Sequence, residues 1–133
     1  MIKALDHIGI AVSSIDSALG IYEALGLCAS GREEVPSQRV RTAFLPVGGT
    51  RLELLEPTDQ GSSVARFLSS RGEGIHHLCF RVEDLSATLD ELAAKGYELI
   101  HREPVPGADG KRIAFLHPRA GRGVLIELSE DAD

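Results

Sequence analysis

The chain repeats itself. Asp6-His7-Ile8-Gly9-Ile10-Ala11-Val12 aligns with His76-His77-Leu78-Cys79-Phe80-Arg81-Val82, and the spacing of 70 positions holds without a gap until Gly26 falls on Gly96. Ala43-Phe44-Leu45 returns as Ala114-Phe115-Leu116, and Leu52-Glu53-Leu54 as Ile126-Glu127-Leu128, the spacing having drifted to 74. Turns of unequal length absorb that drift. Such a duplication restricts the fold to two copies of one supersecondary unit, each too small to bury a stable core alone.

Within each copy the periodicity changes once. Leu5 to Val12 and Ile75 to Val82 alternate in the manner of a half-buried strand. A helix-period stretch follows, with Ile15, Leu19, Tyr22 and Leu25 in the first copy and Leu85, Leu89 and Leu92 in the second. Ser14 and Asp84 are the expected N-caps, and Gly26 and Gly96 close the helices. Three more strands are expected per copy: Leu27 to Glu34, Arg39 to Val47 and Arg51 to Glu56, then Glu98 to Arg102, Arg112 to His117 and Gly123 to Ser129. Gly48-Gly49 reads as a hairpin turn, and Ser62 to Leu68 as a short bridging helix. The expectation is a single α+β domain over 1–133, made of two βαβββ modules of about 1–60 and 73–133.

Composition narrows the function. At 133 residues, 43% hydrophobic and 26% charged, the chain is of ordinary globular make-up. A net charge of −6 argues against a protein built to neutralise nucleic-acid phosphates or an anionic membrane. No apolar run approaches the ~20 residues that cross a bilayer, and the opening lacks a secretory pattern, so a cytoplasmic protein with no membrane or nucleic-acid partner is expected. Cys28 and Cys79 are isolated thiols in apolar surroundings, expected to be buried and reduced.

Alternation also says where side chains point. Ile8, Ile10 and Val12 take the apolar face of the first strand, leaving His7 on the other; Leu78, Phe80 and Val82 do the same opposite His77. His76 points with the core or outward at the strand's start. In the last strands Leu52 and Leu54 oppose Glu53, while Val124, Ile126 and Leu128 oppose Glu127. If helices cover the apolar faces, one His and one Glu from each copy converge on the other side. Two imidazoles and two carboxylates suit Mn²⁺, Fe²⁺, Co²⁺, Ni²⁺ or Zn²⁺, with positions left for substrate oxygens. The competing reading is a duplicated set of buried ion pairs holding no metal, with Glu56 and Glu130 as plain surface carboxylates.

With these segments in place the chain resembles the vicinal oxygen chelate superfamily and, within it, the methylmalonyl-CoA epimerase family. The resemblance rests on Leu5 to Val12, Val35-Pro36-Ser37-Gln38, Leu52 to Pro57, Gly74-Ile75-His76-His77-Leu78, and His117-Pro118 followed by Gly123 to Leu128. It implies metal ligands at His7, Glu53, His77 and Glu127, and a divalent ion, cobalt(II) or manganese(II) first and nickel or zinc as alternatives. It also implies a methylmalonyl-CoA or similar acyl-CoA thioester as substrate, a homodimer, and Glu127 as one proton carrier in epimerisation at the α-carbon.

Two departures stand out. Some epimerases carry glutamine at the position of Glu53, and an acid there leaves glyoxalase I as a rival of equal ligand set. A second glutamate of some family members is matched here by Thr42, a poor base, which leaves Glu33, Glu34 or a water for that role. Lys111 with Arg112, and Arg119 with Arg122, are the basic pairs available for coenzyme A phosphates. A metal-free binding module is the alternative of another class. An extradiol dioxygenase fits less well, because a fourth protein ligand closes a position needed for oxygen or substrate.

Overall fold

A computed structural model describes residues 2–131, in the order β1 (Ile2–Ala11), α1 (Ile15–Ala24), β2 (Gly31–Val35), β3 (Val40–Val47), β4 (Thr50–Pro57), α2 (Ser63–Arg71), β5 (Gly74–Val82), α3 (Leu85–Ala94), β6 (Val105–Pro106), β7 (Arg112–Phe115) and β8 (Ile126–Glu130). The fold is α+β, as the duplicated pattern requires. Two compact units divide the chain: His7–His76 form one, and residues 2–6 with those from His77 onward form the other.

Both units follow one plan. In the first the strand order is β2-β3-β4-β1, with β1 parallel to β4 and the other pairs antiparallel. In the second it is β6-β7-β8-β5, with β5 parallel to β8 and the rest antiparallel. The first core gathers Val12, Ile15, Leu19, Ala43, Leu45 and Leu54; the second gathers Val82, Leu85, Leu89, Ala114, Leu116 and Leu128. Every member of one list is the repeat partner of a member of the other, so the helix-covered face was duplicated as a packing unit.

The helices begin as the sequence expects. Ser14 Oγ accepts the Ser17 N–H at 3.2 Å, and Asp84 Oδ1 accepts the Ala87 N–H at 3.0 Å. A carboxylate from each last strand completes both caps: Glu56 Oε1 takes the Ile15 N–H at 2.8 Å and Glu130 Oε1 takes the Leu85 N–H at 3.0 Å. Their second oxygens pair with Arg41, at 2.9 Å, and with Arg112. Glu56 and Glu130 are therefore part of the frame, negative charges at helix N-termini, and not idle surface groups.

Four expectations need correction. The strand expected from Leu27 starts at Gly31, because the chain first closes α1: Gly26 adopts φ 94°, the Leu27 N–H returns to the Tyr22 carbonyl at 3.0 Å, and Leu27 packs against the core. Glu98 to Arg102 makes only an isolated bridge, Leu99 to Leu116, and the strand proper is Val105–Pro106. The run from Gly123 joins β8 only at Ile126, since residues 117–124 are folded into tight turns, where a Cβ on Gly121 would strike the Val124 carbonyl. Cys28, expected inside, is exposed in the connection after α1, whereas Cys79 is buried; both are free thiols. No helix among the described residues is long and apolar enough to cross a membrane.

Candidate functional site

In the first unit the parallel register sets Gly9 beside Glu53, so His7, two residues earlier on the same face of β1, stands diagonally across from that glutamate. His7 Nδ1 lies 3.1 Å from Glu53 Oε2, with both residues at or below 5% exposure. The second unit repeats the arrangement. Cys79 pairs with Glu127, His77 precedes it by two, and His77 Nε2 lies 2.9 Å from Glu127 Oε1. Both are again 5% exposed. His76, one residue off the face, is buried against the edge of Phe67, with ring centroids 5.1 Å apart.

Burying an imidazole with a carboxylate is an expensive way to fill a core, since the pair must repay the desolvation of a charge. Each unit does so at the same repeat position. A nitrogen and an oxygen donor, adjacent and shielded from bulk water, are the donor types that borderline divalent cations take, so the residues present fit such an ion.

The surroundings of the two pairs differ. Arg51 Nε and a terminal guanidinium nitrogen lie 2.9 and 2.8 Å from Glu53 Oε2, and the guanidinium stands 4.6 Å over the Phe44 ring. The position matching Arg51 in the second unit is Leu125. There Phe115, the register partner of Glu127, sets its ring edge-on to His77 at 5.5 Å. On the other side of Phe115 lies His101, centroids 5.9 Å apart, whose Nδ1 accepts the Phe115 N–H at 3.0 Å. Burial lowers the His101 pKa below 6.5, opposed more weakly by the negative charge of Glu127. The sequence reading missed His101: it falls in a stretch with no continuous strand, so face counting had nothing to act on.

The open question of the second proton carrier also gains a geometry. Thr42 is fully buried and pairs across the ladder with Leu55 on one side and Glu33 on the other. Leu55 is two residues from Glu53, so Glu33 shares the face of Glu53. Glu34 falls on the opposite face and stands 3.9 Å from Arg41.

Of the basic pairs, Lys111 is committed to a buried ion pair with Asp6, Nζ to Oδ1 2.6 Å, and Arg112 to Glu130. Arg119 is 77% exposed at its side chain and only loosely associated with Glu98, at 3.5 Å. Arg119 and Arg122 line an open depression of about 520 Å³ together with Pro118 and Gly123.

Residues 6–115 match the model of the glyoxalase/bleomycin resistance protein/dioxygenase superfamily. An uncharacterized Bacillus subtilis protein, YqjC, is 47% identical over 127 residues, covering 95% of this chain and 91% of its own. The ethylmalonyl-CoA/methylmalonyl-CoA epimerase of Cereibacter sphaeroides is 38% identical over 133 residues, covering 98% and 99%. Among solved structures, a Streptomyces coelicolor methylmalonyl-CoA epimerase variant in complex with 2-nitronate-propionyl-CoA superimposes with a TM-score of 0.95 at 37% identity, over 99% of this chain and 96% of that one.

Proposed function

The chain belongs to the glyoxalase/bleomycin resistance protein/dioxygenase superfamily, and within it we propose that the protein interconverts the 2R and 2S epimers of methylmalonyl-CoA. The observation that carries this reading is likeness over nearly the whole chain to proteins named for that reaction, at 37 to 38% identity.

His7, Glu53, His77 and Glu127 are the residues that would hold a divalent ion, cobalt(II) or manganese(II) first. When bound, such an ion supplies positive charge that stabilises a carbanion delocalised onto carboxylate and thioester oxygens. The chain's own groups move the protons. Glu127, which has Leu125 where Glu53 has Arg51, removes the α-proton from one face of the substrate. Glu33, on the Glu53 face, holds or returns the proton on the other, in place of the glutamate that Thr42 replaces. The loosely held Arg119 and Arg122 take coenzyme A phosphates, since Lys111 and Arg112 are engaged by carboxylates.

The test is exchange of the α-proton of methylmalonyl-CoA with deuterium from solvent, run with cobalt(II) or manganese(II). Rapid exchange with interconversion of both epimers is expected. A metal-loaded protein that leaves the α-proton in place, and instead makes lactoylglutathione from methylglyoxal and glutathione, overturns the epimerase reading.

A further inference from the structure

Beyond the four proposed ligands, the second unit carries an imidazole on the same face that the proton-transfer scheme does not use. It is set there by an irregularity in the ladder. Ile100 and His101 both donate their backbone N–H to the Phe115 carbonyl, at 2.9 and 3.2 Å. Two successive residues facing one is the pattern of a bulge, which re-aims a side chain and recurs beside functional sites. In the first unit Ser30 likewise donates its N–H to the Phe44 carbonyl, at 2.8 Å, but the next residue, Gly31, the register partner of Phe44, has no side chain to aim.

The bulge leaves the Phe115 N–H to be taken up by His101 Nδ1, at 3.0 Å. A ring nitrogen that accepts carries no hydrogen, so the imidazole's hydrogen sits on Nε2, at the far edge of the ring. His101 is half-buried, and its lowered pKa keeps it in this single-proton form at neutral pH. Phe115 is the register partner of Glu127 and touches both His77 and His101 with its ring. The face that holds His77 and Glu127 thus continues across Phe115 to an oriented hydrogen-bond donor.

We propose that His101 is a substrate-binding residue: with Nδ1 committed to the Phe115 N–H, it donates Nε2–H to an acceptor oxygen, carbonyl or carboxylate, of the acyl-CoA thioester lying against the Glu127 side of the site. This rests on the thioester reading of the preceding section. The role is orientation. A donor fixed on one nitrogen by a backbone amide arrives with its geometry set, which reduces the ordering cost of binding.

Two substitutions separate this role from a structural one. In His101→Asn the side-chain oxygen falls where Nδ1 was and keeps the Phe115 bond, but the distal donor is gone. In His101→Gln the amide nitrogen falls where Nε2 was, but the Phe115 bond is lost. Calorimetric binding of 2-nitronate-propionyl-CoA to the metal-loaded protein is expected to weaken about tenfold in H101N, the loss of one hydrogen bond, and to return to within about threefold of wild type in H101Q. KM for methylmalonyl-CoA should follow the same order. Unchanged affinity in H101N, or equal losses in both variants, overturns the proposal. Should H101N fail to fold, the ¹⁵N resonance of Nε2 in wild type decides: it must move when the nitronate is added, and an unmoved line overturns the contact. Wild-type protein that binds the nitronate with the H101N loss yet exchanges no α-proton overturns the epimerase reading and supports the His101 contact.

Discussion

In the first unit Glu53 Oε2 is shared by two Arg51 nitrogens and His7, all within 3.1 Å. In the second, the glutamate at the same repeat position has a leucine in place of that arginine, and beyond the phenylalanine that both units set across the strand stands His101, where the first unit has Gly31. The helix-packed faces show no such divergence: cores, N-caps and the carboxylates Glu56 and Glu130 correspond pair by pair. Duplication preserved the part that packs and let the surroundings of the two carboxylates diverge, which is the basis of the different roles proposed for them. A glutamate clamped by a guanidinium suits a fixed ligand, whereas one without that clamp can exchange a proton.

That assignment breaks first at the glutamates. Glu127→Gln should cut α-proton exchange from the epimer whose proton faces Glu127 by about 10³-fold, within the range for loss of a general base, and raising the metal concentration should not restore it. Glu53→Gln keeps an oxygen donor in place. It should weaken metal affinity by no more than about 100-fold, the scale of a disturbed coordination shell, and recover exchange at saturating metal. Metal titrations of exchange rate in both variants check this; equal, unrescued losses would remove the asymmetry between the halves.

The second proton carrier sharpens it. Glu33→Gln should lower epimerisation by about 100-fold while Glu127 still washes deuterium into one epimer. Chiral analysis of substrate recovered from D₂O reads both quantities at once. Loss of exchange from both epimers in E33Q would assign both protons to one carrier.

The equivalence of the frames has its own test. Glu56→Ala and Glu130→Ala each remove a helix cap and an arginine partner, and each should cost about 1 to 2 kcal/mol in urea unfolding. A large difference between them would show that the halves do not share the load evenly.

Much of this was legible in the sequence because strand alternation and a duplication reinforce one another. His7, Glu53, His77 and Glu127 were placed on their faces by counting, and the registers Gly9 with Glu53 and Cys79 with Glu127 agree with the count. Ser14, Asp84, Gly26 and Gly96 were readable because caps depend on local chemistry. What escaped depends on contacts distant in sequence. The cap roles of Glu56 and Glu130 join residues 41 and 45 positions apart, and the Lys111–Asp6 pair spans 105. His101 escaped for another reason: a bulge defeats a period of two.

His101 also gives the smallest expected effect, a dependence of stability on pH confined to the second unit. Its folded pKa lies below the unfolded value of 6.5 because burial disfavours the charged ring. As pH falls through 6.5 the unfolded chain takes up the proton first, so the unfolded state binds more protons and stability falls with pH. The contribution is complete above 6.5, declines below it, and levels off once the folded imidazole is also protonated. Metal-free wild type should therefore lose more stability between pH 7.5 and 5 than H101N, which keeps the bond to Phe115 without a titrating ring. Parallel urea titrations across that range measure the difference, and identical pH profiles would mean that His101 is too well solvated to serve as the shielded donor that sets the second half apart from the first.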